Sequence, residues 1–165
     1  MVFLMTFDMI NVLPESIRVM LIATLPFAEL RLSIPFALAS EITPLQAFGL
    51  SVLGNMLPVV PLLLFLEPVS NGLRRYTIFD SFFNWLFTRT RRYNYNNRME
   101  KYGSLALIPF VAIPLPWTGA WTACAIAFVF GIRHRYAFSA ILAGVIIAGI
   151  IVTLSCMGVL VMMGL

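Results

Sequence analysis

Charge is what this sequence has least of. Only 11% of its 165 residues are Asp, Glu, Lys or Arg, where a water-soluble domain carries about 25%. With 61% hydrophobic residues, no aqueous surface can be built from this composition. Residues that do chemistry are equally scarce. One histidine and two cysteines cannot make a thiolate or imidazole metal site, and Cys124 and Cys156 sit in apolar stretches without CxxC spacing. There is no HExxH, no GxSxG, no glycine-rich phosphate loop and no carboxylate pair beside a nucleophile. No enzyme activity, cofactor, metal or nucleic-acid partner is therefore expected. Both cysteines read as inert, unbonded thiols, and His134, between Arg133 and Arg135, as a solvated interfacial side chain.

Long apolar runs are what the chain has in plenty. A membrane span needs about 20 apolar residues, and Leu45 to Leu66 and Ala137 to Met163 both qualify without a single charge. Residues 1 to 16 hold Asp8 and Glu15 and no base, unlike a secretory leader, so the chain is read as mature from Met1. The net charge is +4 and is concentrated. Arg74, Arg75, Arg89, Arg91, Arg92, Arg98 and Lys101 stand against only Asp80 and Glu100, which makes this loop cytoplasmic by the positive-inside rule.

Two further stretches are long enough to cross but are broken near the middle. Residues 16–39 contain Pro26, Glu29, Arg31 and Pro35, and residues 103–131 contain Pro109, Pro114 and Pro116. Proline supplies no N–H, and the residue before it avoids the helix. Backbone broken at membrane depth persists only where it is buried in protein or lines a cavity. If residues 103–131 enter and return on one side, Arg133 and Arg135 share the cytoplasmic face with the basic loop, as the charge rule prefers. Residues 16–39 form a second such hairpin, although a full span also satisfies the charges.

A faint internal repeat supports the hairpin reading. Ala47-Phe48 and Gly54 recur as Ala137-Phe138 and Gly144, and Pro26-Phe27 recurs as Pro109-Phe110. The expected fold is an all-α integral membrane protein of one domain, residues 1–165. It has two re-entrant helical hairpins facing each other (16–39 and 103–131), each followed by a transmembrane helix (45–66 and 137–163). Such an inverted repeat places its site where the broken helices meet. Residues 67–102 form a cytoplasmic basic segment in which Phe79, Phe82, Phe83 and Leu86 fall at helical spacing, the pattern of an amphipathic helix on the inner leaflet.

Glu29 and Arg31 are the only ionisable residues deep in an apolar run. At about 1.5 Å per residue Glu29 lies about 19 Å from Ser16, and Trp117 about 21 Å from Gly103, so the two hairpin tips reach one depth. A buried charge there costs roughly 3 kcal/mol. Two readings stand: Glu29 and Arg31 pair or cap for structure, or Glu29 exchanges protons while Arg31 grips an anionic group with its bidentate fork. Asn55, midway along a span, is either inter-helix glue or site lining. Ala140, Gly144 and Ala148 make a small-residue stripe for packing within the fold or between protomers of a homo-oligomer. The candidate site comprises Glu29, Arg31, Ser33, Pro35, Asn55, Pro114, Pro116, Trp117, Thr118 and Gly119.

In Glu29-Leu-Arg31-Leu-Ser-Ile-Pro35 and Ile113-Pro-Leu-Pro-Trp-Thr-Gly119-Ala-Trp-Thr, the sequence resembles the small multidrug export proteins, from about Leu21 to Gly158. That resemblance implies a place in the DedA superfamily, also called VTT or SNARE-associated membrane proteins, whose members are implicated in moving lipids across bilayers. One departure is that the DedA branch carries arginines in the second proline motif, whereas Pro109 to Thr122 holds none. The resemblance implies a proton-coupled lipid-phosphate flippase of a prokaryotic inner membrane, with membrane lipids, protons and an anionic lipid-linked or small amphipathic substrate as partners. An exporter of small amphipathic molecules and a non-transporting membrane scaffold are the alternatives.

Overall fold

A computed structural model describes residues 13–65, 97–113, 119–130 and 132–162. All their regular structure is helical. They divide into two compact units: one runs to Asn55 and resumes at Gly149, and the other is Met56–Ala148. The amphipathic helix expected around Phe79 to Leu86 lies outside the described residues.

In the first unit, α1 (Glu15–Thr24) starts after Pro14, with Glu15 in its first turn, where a carboxylate suits the positive end of the helix dipole. It ends because Leu25 precedes a proline and is extended, with ψ of 136°. The chain resumes as α2 (Glu29–Ala39). The break therefore covers only residues 25–28, and Pro35, expected within it, lies inside α2. Helix α2 stops in a Schellman turn. The Ile42 N–H reaches the Ala37 carbonyl at 3.1 Å and the Glu41 N–H the Leu38 carbonyl at 3.2 Å, around a left-handed Glu41 with φ of 61°. Helix α3 (Pro44–Met56) opens on proline, which suits a first helical position.

Val19 of α1, Ala37 of α2 and Ala47 of α3 form one buried cluster. On a continuous helix Val19 and Ala37 would be about 27 Å apart, so α1 and α2 fold back on one another. Helices α1 and α3 touch through backbone: a Cβ added at Gly54 would lie 2.5 Å from the Met20 carbonyl oxygen and 2.9 Å from the Ala23 Cβ.

In the second unit, a turn at Leu57 and Pro58 leads into helix 59–65, so Pro44–Phe65 makes a candidate span of 22 residues. Helix α4 (Asn97–Ala112) runs through Pro109, and its break begins only at Ile113. Helix α5 (Ala120–Val129) packs on α4. Helix α6 (His134–Met162) holds the second candidate span, His134–Val159. Ala140 and Ala148 are buried, and a Cβ on Gly144 would meet Val111 Cβ at 2.6 Å. The small-residue stripe is thus a packing face within the fold.

The repeat is much stronger in the structure than in the sequence. Ser33, Ala37, Ala47, Ser51 and Asn55 are buried, and so, ninety positions on, are Ala123, Ala127, Ala137, Ile141 and Val145. Gly54 and Gly144 match in the same register. The hydrogen bonds repeat as well: Ile42 to Ala37 at 3.1 Å becomes Ile132 to Ala127 at 2.9 Å, and Ala47 to Thr43 at 2.9 Å becomes Ala137 to Arg133 at 3.0 Å. Pro26 and Pro109, paired on sequence, are not equivalent. The first lies in a break and the second inside a helix.

Candidate functional site

The first unit carries a buried polar stripe that the second repeat lacks. Ser33 and Ser51 are fully buried and Asn55 is 1% exposed, yet Ser33 Oγ, Ser51 Oγ and Asn55 Oδ1 find no hydrogen-bond partner among the described residues. Leaving such an atom unsatisfied costs about 1–3 kcal/mol. Packing does not require the cost, because the equivalent positions Ala123, Ile141 and Val145 are apolar and just as buried. Nor have these hydroxyls taken the usual outlet for a helical hydroxyl, a bond to the preceding turn. Thr24, Thr153 and Ser155 all do, onto Met20, Gly149 and Ile151 carbonyls at 2.9, 2.8 and 2.7 Å.

Helix register sets the levels of the three groups along α2 and α3. Ala37 and Ala47 share the cluster at the Schellman turn. Ser33 lies one turn above Ala37 and Ser51 one turn above Ala47, each about 6 Å along its helix. One turn higher again lie Glu29 and Asn55. The break lies at that level too, since the Thr24 hydroxyl, at its edge, donates to the Gly54 carbonyl at 3.2 Å.

Glu29 is half-buried and opens α2. Its φ is 43°, a left-handed conformation that costs a non-glycine residue roughly 1–3 kcal/mol. Ninety positions on, the chain has Gly119. The first half thus keeps a carboxylate where the second has the residue with no side chain. Arg31, two residues along, is also half-buried, and both residues have interaction partners.

Of the other expected site residues, Pro35 lines a cavity of about 310 Å³ in the first unit, with Leu38, Ala39, Ser155, Cys156 and Val159. Gly119 caps α5, its N–H donating to Thr122 Oγ1 at 3.0 Å while that hydroxyl donates back to the Gly119 carbonyl at 3.1 Å. Pro114, Pro116, Trp117 and Thr118 lie outside the described residues, and with them the expected meeting of the two hairpin tips. Cys124 is buried, Cys156 half-buried, and neither is in a disulfide. His134, Arg133 and Arg135 are exposed, as a membrane-interface turn requires. Ser51 and Thr24 were missed by sequence reasoning. The available signal for Ser51 was its four-residue spacing from Asn55, which puts both on one helical face.

The family model described as "Putative small multi-drug export protein" matches residues 29–151, from the strained glutamate into the second half of α6. No curated protein and no solved structure matches the chain. The match, with the two long apolar helices, makes this an integral membrane protein.

Proposed function

Because the chain belongs to the family of small multi-drug export proteins, we propose that it exports small amphipathic molecules through a site built on the first half of its repeat. The observation that carries this reading is the stripe of Ser33, Ser51 and Asn55, buried without partners where the second half has apolar residues. Buried polar groups at membrane depth mark substrate or ion pathways. The apolar cavity at Pro35, Leu38 and Cys156, at the lower end of ligand-pocket size, would take the hydrophobic part of a substrate. Glu29 would exchange a proton against it, and Arg31 would hold any anionic group.

Helices of 10 and 11 residues reach about 15–17 Å, half of a hydrocarbon core roughly 30 Å thick. That length supports reading α1 and α2 as a re-entrant hairpin. Lipid-phosphate translocation has less behind it: no comparison supports the wider DedA placement, and Pro109 to Thr122 carries no arginine. The deciding experiment reconstitutes the protein in liposomes and follows efflux of an amphipathic dye beside flipping of a labelled lipid. Dye efflux without lipid flipping is expected. Lipid flipping alone would reverse the assignment, and neither would leave a scaffold.

A further inference from the structure

We propose that Ser33 Oγ, Ser51 Oγ and Asn55 Oδ1 form the core of a binding site for a small monovalent metal cation. The three are uncharged oxygen donors, buried, and without a hydrogen-bond partner among the described residues. Alcohol and amide oxygens do not take up protons in water's range, so a proton is not what they hold. Hard oxygen donors suit alkali and alkaline-earth cations, but sites for divalent ions are built around carboxylates, of which this triad has none. Register puts the two serines at one level and Asn55 one turn above. At that upper level lies Glu29, the one acidic residue of the broken segment.

The surroundings favour a small ion. Gly54, next to Asn55, lets α3 approach α1 so closely that even a methyl group would collide with the Met20 carbonyl. The repeat supplies an internal control, since the same helical frame closes over Ala123, Ile141 and Val145 without any polar atom. The site needs neither the export reading nor the second half of the chain.

Sodium is the probe. The full chain, purified in detergent, is melted in sodium chloride and in choline chloride at equal ionic strength. A saturable, sodium-specific rise of roughly 4 °C in melting temperature is expected, and it should vanish in Ser51→Ala and in Asn55→Val. Both variants should melt at or above the wild type in choline, because each deletes a buried polar atom that has no partner. As a measurement independent of the variants, radiolabelled sodium should bind the wild type saturably and Glu29→Gln more weakly. Equal melting in the two salts, absence of saturable sodium binding, or a sodium shift that survives both stripe variants would overturn the site. The first of these results would leave an ordered water as the partner of the three oxygens.

Discussion

The Thr24 hydroxyl lies 3.2 Å from the Gly54 carbonyl, and Pro58 explains why it is there. Four residues after Gly54, proline has no N–H to give that carbonyl, so a hydroxyl from another helix supplies a donor. The same hydroxyl also faces its own Met20 carbonyl at 2.9 Å, and its single proton serves both. Replacing Thr24 by the isosteric valine should lower stability by about 1 kcal/mol, read as a drop in melting temperature in detergent. Gly54→Ala should cost more, about 1–3 kcal/mol, since its Cβ meets backbone rather than a flexible side chain.

Glycines on α6 should sort by their neighbours. Gly144→Ala should destabilise, because its Cβ would lie 2.6 Å from Val111 Cβ. Gly158→Ala, with nothing within 4 Å, should stabilise by up to about 1 kcal/mol through helix propensity alone. Melting of the two variants side by side checks the packing of α6 on α4.

Glu41 holds the left-handed corner of the Schellman turn at φ 61°, a conformation glycine adopts without steric cost. Glu41→Gly should therefore raise stability by about 1 kcal/mol, where most Xaa→Gly changes lower it. A fall in melting temperature would mean that the Glu41 side chain contributes more than the turn loses.

Much of this fold was legible in the sequence, for identifiable reasons. Uncharged runs announced both spans, and the Leu25 break followed from Pro26. Pro35 and Pro109 misled, because a helix packed on neighbours tolerates a proline that an isolated one would not, and both lie inside helices. The ninety-residue repeat showed only as scattered identities, since burial constrains size and polarity more than residue type: Ser33 and Ala123 match as buried small residues without resembling each other as letters. In the site, Glu29, Arg31 and Asn55 stood out as polar groups in apolar runs. Ser51 did not, because a lone serine in a span ordinarily bonds its own helix. Its failure to do so shows only in the folded structure.

Arg31 tests what the substrate carries. Arg31→Lys keeps the charge and loses the planar fork. If Arg31 grips an anionic group, the variant should raise the half-saturating substrate concentration while leaving maximal efflux near wild type. Unchanged kinetics would assign Arg31 a structural role beside Glu29.

The measurement that bears most directly on an export site in the first half is pH-gradient-driven dye efflux from liposomes containing wild type or Glu29→Gln. Glutamine keeps the shape of glutamate and removes its titration. The account predicts that the variant inserts and, in sodium-free buffer, melts like the wild type, yet moves dye no faster than protein-free vesicles. Efflux at the wild-type rate by a properly inserted Glu29→Gln protein would contradict it.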